Sequence, residues 1–198
     1  LKEAMKVLEG RNAILWIFAQ SKQFGPSNVE GDARAVELIR ELADAAASHR
    51  VRISLYPHNA FWMETIEDTV RIAEKVKRPN VGVTFNLCHW LRVSKSRDAR
   101  AAIEKAMPYL SVVNINGADS DGKDWNTLIQ TLDRGTFDMR GFLEILRDAG
   151  YTGPIGFQGY GIGGDAHENL KRTIAAWEEH SQVLRGDVKP FGELKKAP

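Results

Sequence analysis

The chain has 198 residues, 27 of them basic and 26 acidic, for a net charge of +1. That balance gives no electrostatic reason to bind nucleic acid or an anionic membrane, and no apolar run approaches the roughly 20 residues of a membrane span. The single cysteine, Cys88, excludes an internal disulfide and any cysteine-rich zinc site.

The chain opens Leu1-Lys2-Glu3 without a start methionine or signal peptide, so its true N-terminus is expected upstream. The first β-rich run is 13–19, followed by a helical stripe of Val36, Ile39, Leu42, Ala43 and Ala46. A second run, 51–56, leads to a stripe of Ile66, Val70, Ala73 and Val76. The third, 81–85, leads to Ala102, Ile103, Ala106 and Met107, with Ser96 as the expected cap. The fourth, 111–115, leads to Met139, Phe142, Leu143, Leu146 and Ala149, capped by Asp138 and stopped by Gly150. The fifth, 154–157, leads to Leu170, Ile174 and Trp177, capped by Asp165 in a variant capping box with Glu168. Each run is nearly continuous in apolar residues, as expected of parallel strands buried on both faces. The tail 185–198 is rich in Lys, Gly and Pro and is expected to be irregular, leaving 1–184 as one domain.

Strict β-α alternation means a parallel sheet with right-handed crossovers. The runs recur about every 35 residues, and eight repeats would need roughly 280, the size of a (β/α)₈ barrel. Spacing alone also allows an open doubly wound sheet of five strands, but no Gly-x-Gly-x-x-Gly turn follows the first strand to support its nucleotide-binding version.

In either architecture the chemistry sits at the C-terminal ends of the strands. Those ends read Gln20-Ser21-Lys22, Tyr56-Pro57-His58, Asn86-Leu87-Cys88-His89-Trp90, Asn114-Ile115-Asn116-Gly117 and Gln158-Gly159-Tyr160. They are polar and almost wholly neutral, with no carboxylate directly at any strand end. Side-chain amides there suit sugar hydroxyls as donors and acceptors. Trp62, Trp90 and Trp125 lie in βα loops, where each either stacks on a sugar's apolar face or packs its loop down; packing is the commoner role for any one of them, and Trp90 is the candidate for substrate. The 159–164 turn is glycine-rich, yet Asp165 and Glu168 at the next helix start would repel an anion, which favours a neutral sugar over a sugar phosphate. Asp119, Asp121 and Asp124 have the flavour of a calcium loop, but Gln130 stands where its bidentate glutamate belongs.

Four segments carry a resemblance to a known family. Val81-Gly82-Val83-Thr84-Phe85-Asn86-Leu87-Cys88-His89 resembles the "vGvxxDxxH" strand of the xylose-isomerase-like superfamily. Tyr56-Pro57-His58 with Met63-Glu64-Thr65 is similar to the "HPHxGTxxET" segment of its sugar isomerase, epimerase and inosose dehydratase branch. Val112-Val113-Asn114-Ile115 resembles "vvHikD", and Gly150 through Gln158 resembles the "GYxGxixiE" strand that closes the barrel. The resemblance implies an α/β fold, a partial (β/α)₈ TIM barrel with about five of its eight βα units, and isomerase or epimerase chemistry on a sugar. It also implies a divalent metal, manganese or magnesium, held by Glu, Asp, His and Glu on successive strand ends. In this chain those positions fall on or near Tyr56 and on Asn86, Asn114 and Gln158, all neutral, so the usual metal is expected to be lost.

The resulting expectation is a sugar isomerase/epimerase-like enzyme for a neutral sugar or polyol. His58, His89 and Tyr56 would be catalytic, with Asn86, Asn114, Asn116, Gln158 and Trp90 binding substrate. The alternative is a carbohydrate-binding barrel without catalysis. The endonuclease branch of the superfamily would need a histidine- and carboxylate-rich zinc cluster and a basic face, which five histidines and a net charge of +1 do not supply. A sugar is the expected small-molecule partner, nucleic acid and membrane are not expected, and a homo-oligomer is compatible with the composition.

Overall fold

The computed structural model describes residues 1–185. They fall into two compact units, and of the expected tail only Arg185 lies among them. The first unit is Leu1–Ile115 with Gly153–Gln158. It holds five parallel strands, β1 (Ile14–Ile17), β2 (Arg52–Leu55), β3 (Val81–Asn86), β4 (Leu110–Ile115) and β5 (Ile155–Phe157), hydrogen-bonded in sequential order. This is an α/β fold, a partial (β/α)₈ barrel, with β1 and β5 as the edges of the sheet. Its helices are α1 (Lys2–Leu8), α2 (Asp32–Ser48), α3 (Ile66–Val76), α4 (Leu87–Val93) and α5 (Ala99–Ala106). Among the described residues no helix is long and apolar enough to cross a membrane.

The strand register separates two faces with opposite chemistry. Pairing puts Trp16 beside Ser54, Ser54 beside Gly82, and Asn86 beside Asn114 and then Gly156. With side chains alternating along each strand, one face carries Trp16, Ser54, Tyr56, Thr84, Asn86, Asn114 and Gln158. The other carries Ile53, Leu55, Val83, Phe85, Val113 and Ile115, all buried. The expectation of strands apolar on both sides is therefore corrected: one face is apolar core, and the other is a polar layer. Part of that layer is self-satisfied, since Ser54 Oγ lies 2.6 Å from Thr84 Oγ1 and 2.8 Å from Ser111 Oγ. At the β1 edge the same face turns aromatic, and Trp16 is 41% and Phe18 56% exposed.

Local signals explain the helices. Thr65 and Asp68 form a reciprocal capping box at the start of α3. Asp68 also accepts from Ser27 Oγ and Arg71, and Arg71 and Lys75 pair with the buried Asp32 of α2. This network ties the loop after β1 and α2 to the start of α3. The cap of α5 is Asp98 rather than Ser96, because Asp98 reaches the backbone N–H of Ala101.

Among the described residues the second unit comprises Asn116–Thr152 and 159–185. It holds α6 (Trp125–Leu128), α7 (Met139–Asp148), α8 (Ala166–His180) and a 3₁₀ turn, Ser181–Arg185. Asp138 and Asp165 cap α7 and α8 as expected. The calcium-like loop is a capping device, with Asp124 accepting from the N–H groups of Asn126 and Thr127 and Asp119 from that of Thr136.

Candidate active site

The site is built where β2 and β3 run into their loops. Tyr56 continues the ladder past β2, its N–H donating to the Ile17 carbonyl at 2.8 Å. Asn86 is both the last residue of β3 and the N-cap of α4, its Oδ1 accepting from the N–H of His89 at 3.1 Å. An asparagine in that position ends a strand and starts a helix in one step, and it turns Cys88 and His89 back over the strand ends. α4 itself left no periodic stripe in the sequence, being only about two turns long and buried over most of its length.

Four of the expected residues meet here. The rings of His58 and His89 lie 4.1 Å apart, and Tyr56 meets His89 edge-on at 5.7 Å. Asn86 Nδ2 donates to the Tyr56 hydroxyl at 3.0 Å. The Asn86 carbonyl oxygen also accepts from the Cys88 thiol at 3.0 Å, and Gln158, at the end of β5, hydrogen-bonds Cys88 in turn. Asn114 lies in register beside Asn86 and Gly156. Its Oδ1 stands 3.2 Å from where a Cβ on Gly156 would sit, so glycine there gives the amide its space. The Asn114 side chain makes no hydrogen bond among the described residues.

Two expected residues do other work. Trp90 is 6% exposed and packs on Phe85, a core position rather than a stacking platform. Asn116 belongs to the second unit, where its Nδ2 donates to the carbonyls of Gly117 and Leu128. Sequence reasoning missed three contributors. Trp16 stacks on Tyr56 at 5.4 Å, Phe61 stacks on His58 at 3.9 Å, and the Asn59 backbone bridges both histidines. Trp16 carried no signal of its own in the sequence, because only the strand register places it on the polar face. A cavity of about 470 Å³ opens beside Phe61, against Gln20, Lys22 and Trp62.

Burial dominates the electrostatics. It raises the Tyr56 phenol well above its ordinary value, with Cys88 adding to the effect. It pushes the Cys88 thiol up to about 12, outweighing hydrogen bonds from the local backbone and Gln158. It lowers His89 to about 4, helped by the neighbouring His58. Tyr56, Cys88 and His89 are thus neutral at physiological pH.

A family model described as xylose isomerase-like TIM barrel matches residues 3–182. The chain belongs to that family. Solved structures agree on the fold. The D-allulose 3-epimerase of Methylomonas sp. superposes with a TM-score of 0.72 at 19% identity, over 90% of this chain and 67% of that one. The D-psicose 3-epimerase of Clostridium cellulolyticum H10 gives 0.71 at 20%, over 92% and 68%. The 3-keto-D-glucoside 4-epimerase of E. coli gives 0.66 at 18%, over 93% and 68%. The chain spans about two thirds of the length of these structures. None of the curated proteins compared matches it.

The donor set departs from the metal centre implied by the xylose-isomerase-like resemblance. At the four ligand positions stand a phenol and three amides, and Asn86 has both ends of its amide engaged within the protein. Among the described residues no group of three or more His, Cys, Asp or Glu side chains is placed to hold an ion. A hard divalent cation is held chiefly by carboxylate oxygens, and these residues do not fit it.

Proposed function

We propose that this chain is a sugar isomerase/epimerase-like enzyme for a neutral sugar or polyol that works without the divalent metal of its family. The observation that carries the reading is the His58–His89 pair beside Tyr56 at the strand ends, 4.1 Å between ring centroids. Aldose–ketose isomerisation and epimerisation next to a carbonyl share one step, removal of a proton from the carbon beside the carbonyl. Imidazole suits that step near neutral pH. Asn114 and Gln158 supply amides for substrate hydroxyls, and the Trp16–Tyr56 stack supplies an aromatic surface for the sugar's C–H face. The epimerase names of the structural neighbours support the substrate class.

The test is proton exchange. Neutral ketoses incubated with the protein in deuterated water should gain deuterium beside the carbonyl, equally with and without chelator, and His58→Ala should abolish the gain. Exchange that a chelator stops and manganese restores would return the chain to the metal mechanism. A second reading, carbohydrate binding without catalysis, is favoured by the way Tyr56, Asn86, Cys88 and Gln158 satisfy one another. Saturable sugar binding with no exchange at any pH would establish it.

A further inference from the structure

A neutral imidazole has one N–H and one lone pair, and a partner of fixed polarity decides which nitrogen holds which. The Asn59 backbone supplies such partners on both sides, from the two successive peptide groups that flank its Cα. Its N–H donates to Nδ1 of His89 at 3.3 Å, and its carbonyl oxygen lies 2.8 Å from Nδ1 of His58. A backbone N–H cannot accept, so Nδ1 of His89 is unprotonated and the ring's proton sits on Nε2. A carbonyl oxygen cannot donate, so Nδ1 of His58 carries its proton and the lone pair is on Nε2. We propose that the Asn59 backbone locks the two histidines in opposite tautomers, making Nε2 of His58 the proton acceptor of the pair and His89 its neutral, Nε2-protonated neighbour. The assignment rests on the proton-transfer reading above and adds the roles that the sequence left open between the two rings.

The surrounding contacts hold this arrangement in place. Phe61 stacks on His58 with 21° between the planes, which fixes the ring's orientation. The His58 N–H donates to the Met63 carbonyl and the Phe61 N–H to the His58 carbonyl, both at 3.0 Å, so the turn that presents Asn59 is itself pinned. Ala60, at φ 65°, donates its N–H to Glu64 Oε1 at 2.8 Å. Burial keeps His89 neutral down to about pH 4.

The chemistry then balances without a co-reactant. The C–H bond beside the substrate carbonyl breaks, its proton forms an N–H bond at Nε2 of His58, and the electron pair passes into an enediolate. The resulting imidazolium keeps its Nδ1–H on the Asn59 carbonyl. Return of the Nε2 proton to the former carbonyl carbon, with the neighbouring hydroxyl proton passing to the former carbonyl oxygen, gives the isomer, restores the starting ring and completes the turnover. Asn59 acts as a positioning residue, through its backbone.

Two-bond ¹H–¹⁵N correlation spectra of the protein labelled in its imidazoles, recorded well above the ordinary histidine pKa, read the tautomers directly. The signals are assigned by their loss in His58→Gln and His89→Gln. The expected result is the Nδ1–H pattern for His58 and the Nε2–H pattern for His89. The Nε2–H pattern at His58, or the Nδ1–H pattern at His89, overturns the proposal. Asn59→Pro removes the bridging N–H while keeping the Asn59-position carbonyl, at the cost of a fixed φ there and a restricted backbone at His58; His89 should become a mixture of tautomers while His58 stays Nδ1-protonated. If His89 stays single, the Asn59 backbone is not the lock and the proposal falls; if that variant does not fold, the parent spectrum alone decides. In the exchange assay, His58→Gln should lose about a hundredfold or more. The expected tautomers in a protein that exchanges no deuterium would sink the enzymatic reading and keep the lock. Reversed tautomers in a protein that does exchange would sink the lock alone.

Discussion

His89 ties the stability of the first unit to pH. Burial, and then the facing His58, hold its pKa down from 6.5 to about 4. The unfolded chain recovers the ordinary value of about 6.5. Between these limits the unfolded chain binds a proton that the folded chain refuses. Stability is therefore complete above about pH 6.5, falls as the pH drops toward about 4, and levels off below. At 1.36 kcal/mol per pH unit the whole window is worth about 3 kcal/mol. His89 is only 5% exposed, so solvent screening removes little of this. The measurement is urea unfolding of the parent and of His89→Gln at intervals through the window. Carboxylates that titrate in the same range are common to both proteins and drop out of the difference. Going from neutral pH to about pH 4, the parent should lose about 3 kcal/mol relative to the variant, with a slope near one proton. Parallel curves would refute the argument, because they would mean that His89 accepts its proton in the folded state as easily as in water.

Three further outcomes follow from the same structure. Cys88, buried and pushed up to about 12, should resist iodoacetamide in the native protein at mildly alkaline pH and react only after unfolding; brisk native labelling would contradict its placement under Asn86 and Gln158. Asn86→Asp with Gln158→Glu puts two carboxylates at strand ends, and calorimetry should find manganese binding in the double variant and little in the parent; equal tight binding by both would undo the metal-free reading. Asp68 is 2% exposed, and although burial pushes its pKa up, hydrogen bonds from Ser27, Thr65 and Arg71 leave it below the usual carboxylate range. Asp68→Asn should cost about 3 kcal/mol in chemical unfolding, since it leaves Arg71 without one of its two carboxylates, whereas a change within experimental error would show the pair to be screened. The depressed pKa also means that this contribution is present above the ordinary carboxylate value and lost as the pH falls through the folded one.

The sequence by itself determined the order of the five strands and of the five helices α2, α3, α5, α7 and α8 that follow them. Five apolar runs spaced by amphipathic stripes allow only parallel strands with crossover helices, since side-chain periodicity is a local property of the chain. The same locality made Asp138 and Asp165 legible as caps, because a cap acts on N–H groups two or three residues away. The strand-end residues Tyr56, His58, Asn86, His89, Asn114 and Gln158 were legible too, because parallel strands bring equivalent offsets to one end of a sheet.

What the sequence did not determine is which neighbour each of those residues meets. Trp90 and His89 are adjacent in the chain, yet one packs on Phe85 in the core and the other meets His58, because consecutive positions of α4 point in different directions. The polar face of the sheet was hidden inside runs that read as continuously apolar, and only the register of Trp16 with Ser54 and of Asn86 with Asn114 separated the two sides. The proposed roles of the two histidines depend on the backbone of one residue, Asn59, whose side chain carries no signal at all. The tertiary structure decided them, because a proton's place on a ring is set by the polarity of whatever atom lies within about 3 Å, and chain spacing does not encode that distance.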